Sequence, residues 1–469
     1  MSTRDKAVII MAAGKGTRMR SKLTKVLHPV AGRPMIHYPI RTALELGAQR
    51  IVVVLGYQFE QVDEYLKTAF PDAPIQTVLQ AEQLGTAHAV SCAEPALRDF
   101  QGDIFILSGD VPTLPTEVVQ RLDIERRDCA VNVLGMTLTD PGAYGRLVIG
   151  TDGHLRKIVE AVDCSPEEAR IPTVNAGVYR VDAEHLFATL TGLSSDNAQN
   201  EYYLTDIVEV AVAQGKTAGT TVLSGDESQL AEGVNDRAHL AAAERRMQKR
   251  ICHAFMRAGV SFIDPDRVTI HDGVIIGADT VIEPGVQLRG QTTIGEGCIV
   301  EQSARIVDSA IGDGTRIRAY SHLEKATVGP GCQVGPFARL REGTRLHAEV
   351  KIGNFVETKK AEFGAGAKAN HLAYVGDASV GAQANLGAGT ITCNYDGFRK
   401  FRTEIGDGAF IGSDTQLVAP VRVGDGALVG AGSTITEDVP DNALALSRHP
   451  QKNVPEWAAR RRKKLSKSE

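Results

Sequence analysis

Aliphatic residues recur every six positions through the second half of this chain: Ile270, Ile276, Ile282, Leu288, Ile294, Val300 and Ile306. After a one-residue slip the series resumes at Ile311, Ile317 and Leu323, and after another it runs through Val328, Val334, Leu340, Leu346 and Ile352. It returns at Ile405, Ile411, Leu417, Val423, Val429 and Ile435. An α-helix repeats every 3.6 residues and a strand every two, so a period of six suits neither a helix nor a hairpin meander. It suits a parallel β-helix, in which each aliphatic points to the axis and three such hexads make one coil. Glycine follows many of these residues, as in Ile276-Gly277, Ile294-Gly295, Val328-Gly329 and Val423-Gly424. The pattern reads as a tight corner that favours glycine's backbone freedom. The span Ile270–Pro440 predicts about nine or ten coils, each rising ~4.8 Å.

Between Leu386 and Ile405 the rhythm breaks. The interval contains Asn394-Tyr395-Asp396-Gly397 and predicts a protruding loop, the place where a rigid scaffold concentrates function.

The first half follows a different rule. Ala7–Met11, Ile51–Leu55, Ile75–Leu79, Ile104–Leu107 and Val131–Leu134 read as buried strands, with helical stretches such as Ile40–Gly47 and Thr86–Ala96 between them. Such alternation predicts an α/β, Rossmann-like domain with a mostly parallel sheet. From Asn235 to Ala258 the spacing of Leu240, Met247, Ile251 and Phe255 predicts a long helix that breaks at Gly259. The expected organisation is therefore a domain over 1–237, a helical linker over 238–258, and the β-helix with a C-terminal tail over 259–469. A chain of 469 residues needs more than one core.

Composition removes other classes. A net charge of −5 argues against a nucleic-acid binder. Seven cysteines without a C-x-x-C pair read as reduced thiols of a cytoplasmic protein. The apolar run Ala7–Ala13 is too short to span a membrane and lacks the layout of a signal peptide.

Three segments carry nucleotide chemistry. Met11-Ala12-Ala13-Gly14-Lys15-Gly16-Thr17-Arg18-Met19 follows the first strand. It is neither a P-loop nor a dinucleotide fingerprint, yet its glycines allow close backbone approach, and Lys15, Arg18 and Lys25 add positive charge. In Gln80-Ala81-Glu82-Gln83-Leu84-Gly85-Thr86, the Gln80 amide suits a nucleobase edge, and Thr86 suits either that edge or a helix cap. Ser108-Gly109-Asp110 ends a buried strand, where open α/β sheets bind ligands, and Asp110 suits Mg²⁺ beside phosphates. A Gly-rich turn and a Gly-Asp turn are also ordinary structural features.

The string G-x-G-T-R-M followed closely by x-K resembles the opening of sugar-phosphate nucleotidylyltransferases. Taken with the β-helix, the chain resembles the family of bifunctional N-acetylglucosamine-1-phosphate uridylyltransferases/glucosamine-1-phosphate acetyltransferases, from the first strand to Arg448. That resemblance implies that acetyl-CoA first acetylates glucosamine 1-phosphate in the second half. UTP then uridylylates N-acetylglucosamine 1-phosphate in the first, releasing pyrophosphate and supplying precursors of bacterial cell-wall polymers. It implies that Met11, Ala12, Ala13, Gly14, Arg18, Lys25, Ser108 and Gly109 meet UTP, while Gln80, Gly85 and Thr86 read uracil. Asp110 and Asn235 hold Mg²⁺, and Gly145, Glu160 and Asn175 line the sugar pocket. Met11 stands where Leu is usual, Ser108 where Tyr is common and Thr113 where Leu is common; none of these removes a charge.

In the second half the resemblance makes His371 the base that deprotonates the amino sugar, whose amine is otherwise an ammonium ion. His371 lies two places after the axial Ala369 and is expected to point outward. Arg341 and Lys359 are implied to hold the sugar phosphate, and Tyr374 and Asn385 to complete the site. Ala388, Asn394, Tyr395, Ser413, Ala431 and Arg448 are implied to meet acetyl-CoA. Glu342 stands where the family often has Pro and is expected to weaken Arg341's grip on phosphate. The resemblance also implies a left-handed coil and a homotrimer. The basic run Arg460–Lys464 reads as a solvated end or as a contact for coenzyme phosphates.

Two other readings fit the same two-part layout. One is a hexose-phosphate nucleotidylyltransferase whose β-helix serves only assembly; the other is a regulatory scaffold of the kind found in a translation exchange factor. Both predict an inert second half, and neither accounts for His371 together with Arg341, Lys359 and the Asn394-Tyr395 loop.

Overall fold

The structure, a computed structural model, describes residues 4–466. The chain forms two compact units that divide between Arg250 and Ile251. The division falls inside a single helix, Arg237–Arg257. The Asp236 carboxylate accepts the His239 amide at 2.9 Å and caps its start, and Gly259, at φ 94°, turns the chain out of its end.

In the first unit, nine strands form one sheet. Its main path runs Ala218–Leu223, Val131–Thr137, Thr173–Asp182, Asp103–Ser108, Lys6–Ala12, Arg50–Leu55 and Ile75–Leu79. All pair in parallel except Thr173–Asp182, which is antiparallel to both neighbours. Runs of Val and Ile build these strands because both faces are covered. Ile9, Val52 and Ile106 belong to one buried cluster, while Val8, Ile51 and Phe105, one residue off, belong to the other. Each such side chain contributes on the order of 2 kcal/mol by leaving water.

The expected strands all occur, and the hairpin Arg146–Ile149/Leu155–Val159 and the antiparallel Thr173–Asp182 join them. The helix expected over Thr86–Ala96 is two pieces, Thr86–Ser91 and Glu94–Leu97. Pro95 is the reason, since its ring collides with the carbonyl four residues earlier and it offers no amide hydrogen.

Strand order reverses between Lys6–Ala12 and Asp103–Ser108: the chain winds outward through Arg50–Leu55 to Ile75–Leu79, then returns to the other side of its first strand. A crevice opens past the carboxyl ends at such a switch point.

The second unit is a parallel β-helix. Leu340 pairs with Thr358 and Ile352 with Ala369, so a coil takes seventeen or eighteen residues. One face carries eleven strands, more than the coil count expected from the aliphatic series, because Ser261–Phe262 precedes Ile270 and Leu444–Ala445 follows Pro440. Every aliphatic of the six-residue series is buried. Across the interval where the series lapses, Thr358, Phe363, Ala369, Val375, Val380, Leu386 and Thr392 occupy the axis and are equally buried.

The glycines after the axial residues have a different cause from the one expected. Gly277, Gly295 and Gly329 are not at positive φ; a Cβ on each would come within 2.7 Å of backbone in the next coil, or closer still to a side chain. The left-handed corners fall instead at Gly297, Gly314 and Gly331.

Candidate functional site

The register Met11↔Ser108 brings the loop after the first strand alongside Gly109-Asp110. The Gly109 amide donates to the Met11 carbonyl at 2.9 Å, and a Cβ on Gly109 would crowd Ala12 at 3.1 Å. Around this junction lies a cleft of about 280 Å³ lined by Met11, Ala12, Ala13, Gly14, Lys25, Gln80, Gly85, Thr86, Ser108 and Asp110. Gln83 and Glu201, which the sequence did not mark, line it too. Gln83 fixes the first loop by donating to the Ala13 carbonyl at 2.6 Å.

Asp110 is held from three sides. Ser108 Oγ donates to it at 2.6 Å, Lys25 Nζ forms an ion pair with it, and its carbonyl accepts the Val234 amide at 2.9 Å. That last bond draws the Gly233-Val234-Asn235 segment against it, where Asn235 Oδ1 accepts from Arg18 at 2.8 Å. Asp110 and Asn235 thus present oxygen donors only. Among the described residues no group of three or more His, Cys, Asp or Glu side chains converges. A small, hard set of this kind suits Mg²⁺, which keeps water and phosphate oxygens as its other ligands.

Gly145, Glu160 and Asn175 form a second cluster. The Asn175 amide donates to the Gly145 carbonyl at 2.8 Å, and a Cβ on Gly145 would lie 3.4 Å from Glu160 Oε2. A register shift falls between Asn175 and Tyr179, where Gly177 takes φ 72° and its amide donates to Asn175 Oδ1 at 2.9 Å. Asn175 Nδ2 then donates to the Tyr179 hydroxyl at 2.7 Å. Burial pushes the Glu160 carboxyl upward, opposed by the Thr205 hydroxyl that donates to it at 3.2 Å.

In the second unit His371 is exposed while axial Ala369 is buried. Its Nδ1 lies 3.2 Å from Asn354 Oδ1 in the preceding coil. Because that oxygen only accepts, the contact is made by a ring with its proton on Nδ1, an arrangement that turns Nε2 of the neutral imidazole to face other partners. Register places His371, Ala388, Ser413 and Ala431 at the same position of four successive coils, and Arg448 Nη1 donates to the Ala431 carbonyl at 3.1 Å.

Around the next corner, at Leu372, lies a basic group. Arg341 and Lys359 are stacked in adjacent coils, and Lys400, from the protruding loop, adds a third charge that the sequence did not flag. Lys359 is held below the usual lysine range, first by Lys400 and then by Arg341. Glu342 is not the carboxylate that meets Arg341. Its side chain faces Lys325 at 4.0 Å, while Glu357 binds Arg341 at 2.8 Å.

The loop itself is shorter than the interval suggested, since Thr392 still holds the axis and Val380 pairs with Ile405. Asn394 is buried in it and donates to Asp377 at 2.6 Å, and Tyr395 is exposed with its hydroxyl on the Gly397 carbonyl. Tyr374 Oη and Asn394 Nδ2 converge over Gly376, where a Cβ would meet them at 2.5 and 2.9 Å. Asn385 stands apart, between Lys368 and Phe410 on the eleven-stranded face. No hydrogen bond or ion pair joins the His371 column to the Arg341–Lys359 group among the described residues.

Three family patterns match: nucleotidyl transferase over residues 7–227, the GMPPB C-terminal domain over 265–362, and bacterial transferase hexapeptide (six repeats) over 402–437. The second stops short of His371. Relatives decide the matter, for a "Bifunctional protein GlmU" of Trichlorobacter lovleyi is 50% identical over 97% of this chain and 98% of its own. The chain belongs to the bifunctional GlmU family. Its counterpart in Pelobacter propionicus is 49% identical over 98% of this chain and 99% of its own. In Anaeromyxobacter dehalogenans the GlmU protein is 51% identical over 97% and 93%. The nucleotidyl transferase pattern falls on the first unit and the hexapeptide pattern on coils of the second.

Proposed function

We propose that each activity of this bifunctional transferase sits at one of the two sites just described. The chain is an N-acetylglucosamine-1-phosphate uridylyltransferase and a glucosamine-1-phosphate acetyltransferase. The observation that carries the first assignment is the cleft where Lys25, Asp110 and the Met11–Gly14 loop meet at the strand-order reversal.

In that cleft the loop amides and Lys25 would hold the UTP phosphates and Gln80 and Gly85 the uracil, while the second cluster of Gly145, Glu160 and Asn175 would hold the sugar. Asp110 and Asn235 would hold Mg²⁺, which when bound supplies neutralisation of phosphate charge. The attacking sugar phosphate is already an anion at pH 7, so no general base is required. What the residues contribute is in-line alignment of that oxygen with the α-phosphorus, and Lys25 and Arg18 offset the charge that builds there.

In the second unit, Nε2 of His371 would take a proton from the ammonium form of the amino sugar, with Arg341, Lys359 and Lys400 gripping its phosphate. Acetyl-CoA would lie along the column Ala388–Ser413–Ala431 toward Arg448. The His371 column and the basic group occupy two faces of one coil, so a concave site calls for a neighbouring copy. Exposed apolar side chains support that assembly. Tyr320, Phe337 and Phe355 stack at ring separations of 5.0 and 5.4 Å, about half exposed, and Phe410, Leu428 and Leu444 form a second exposed column. A homotrimer built through the second unit would cover them. All seven cysteines are free thiols, which fits work in the cytoplasm, and no described helix is long and apolar enough to cross a membrane.

The test is paired assays on the purified chain: pyrophosphate released from UTP with N-acetylglucosamine 1-phosphate, and CoA thiol released with glucosamine 1-phosphate. Absence of thiol release would favour the reading in which the β-helix serves only assembly.

A further inference from the structure

Residues Glu201 to Thr205 run as a strap beside the nucleotide cleft, and Glu201 lines it. The strap is joined to the Leu84–Ala87 turn at three points. Two are backbone bonds: the Tyr202 amide to the Leu84 carbonyl at 2.8 Å, and the Ala87 amide to the Tyr202 carbonyl at 2.9 Å. They bring the strap so close that a Cβ on Gly85 would fall 2.5 Å from the Tyr202 carbonyl oxygen, which accounts for glycine there.

The third is made by a side chain: Thr86 Oγ1 accepts the Leu204 amide at 2.9 Å. The next residue along is Thr205, 3% exposed, whose hydroxyl donates to Glu160 Oε1 at 3.2 Å. Thr86 does not cap its own helix, whose N-cap is Gly85 with no side-chain bond. Accepting from Leu204 leaves the Thr86 proton free to donate into the cleft.

We propose that Thr86 is a positioning residue for the sugar-phosphate substrate as well as a wall of the nucleotide cleft. Through the Leu204–Thr205 backbone its hydroxyl sets the Glu160 carboxylate, so that nucleotide in the cleft and sugar at Glu160 are tied by two hydrogen bonds on one short stretch of strap. This rests on the assignment of the cleft to UTP and of Glu160 to the sugar. Losing the bond to Thr86 frees the Leu204 backbone, and with it the position from which the Thr205 hydroxyl reaches Glu160.

The experiment compares Thr86→Val, Thr86→Ser, Thr205→Val and the Thr86→Val/Thr205→Val double variant in the full chain. Loss of one hydrogen bond of ordinary strength predicts a rise in KM for N-acetylglucosamine 1-phosphate of roughly five-fold in Thr86→Val. Thr86→Ser, which keeps the acceptor, should return it to the wild-type value. The double variant should be no worse than Thr205→Val alone, since both interrupt one path. Thr86→Val raising KM for UTP alone, or effects of the two Val variants that multiply, would overturn the proposal. Amide hydrogen exchange at Leu204 supplies a readout that needs no turnover: it should quicken in Thr86→Val and recover in Thr86→Ser, and an unchanged rate overturns the link. A wild-type chain that releases no pyrophosphate would instead sink the assignment of the activity, with the exchange result still judging the strap.

Discussion

Lys25 and Asp110 form an ion pair across the mouth of the nucleotide cleft although they lie 85 residues apart in the chain. Both side chains are largely buried, and the strand pairing Met11↔Ser108 is what brings them together. A buried carboxylate left without its cation, or a cation without its carboxylate, loses more than the pair itself contributes. Asp110→Asn is therefore expected to lower uridylyl transfer at least a hundred-fold while leaving acetyl transfer within two-fold, and His371→Ala to do the reverse. Parallel pyrophosphate and CoA-thiol assays check this; loss of both activities from either change, in a chain with native circular dichroism, contradicts the two-site reading.

The bond between Asn354 and His371 makes a prediction of its own. Asn354→Ala frees the imidazole to rotate and to exchange tautomers, so kcat for acetyl transfer should fall on the order of ten-fold. Asn354→Asp places a carboxylate beside the ring, which stabilises the imidazolium, so the acid limb of the pH–rate profile should move about one unit upward. A profile that stays in place would show that Asn354 does not govern this histidine.

Asp206 opens the helix Asp206–Ala213, and its carboxyl is pushed up to about 6, first by burial and then by Glu209 and Asp163. In the unfolded chain it titrates near ~3.9. The folded state therefore holds the proton more tightly, and the stability this gives below pH ~4 is lost as pH rises through 6. Asp206→Asn removes that loss. Allowing for partial exposure, it should stabilise the first unit by about 1 kcal/mol at pH 7.5, a few degrees in Tm, and by little at pH 4. Thermal unfolding at the two pH values checks the sign.

The stacked rings Phe337 and Phe355 carry the assembly prediction. Changing both to Glu places charge in a surface proposed to be covered by another copy. The chain should then sediment as a monomer and lose most acetyl transfer while uridylyl transfer persists. A monomer with full acetyl transfer would exclude a shared site.

Much of this was legible from residue order because the signals are strictly periodic or local. A six-residue recurrence of Ile, Val and Leu specifies a coil wherever the axis is aliphatic, and the Met11–Met19 segment names its own chemistry. The middle coils were harder to read because Thr358 and Thr392 hold the axis, where a buried hydroxyl can find a backbone carbonyl, as Thr392 does at Gly376, 3.0 Å away. Asn354, Glu357 and Lys400 escaped notice for another reason. Their importance comes from neighbours a coil away or across a loop, which spacing within one coil does not reveal. The Glu201–Thr205 strap is of the same kind, since nothing in its sequence points to Leu84 or Glu160.

Glycines such as Gly353, where a Cβ would lie 1.9 Å from the Asn370 carbonyl oxygen, let successive coils touch backbone to backbone. Peptide thickness, and no side chain, therefore fixes the rise from one coil to the next at ~4.8 Å. The column from His371 through Ala388 and Ser413 to Ala431 is in this sense a gauge with fixed graduations. Substitution can alter what each mark touches but cannot alter the interval between marks. To accept a longer or shorter extended ligand, such a protein must gain or lose an entire turn of chain.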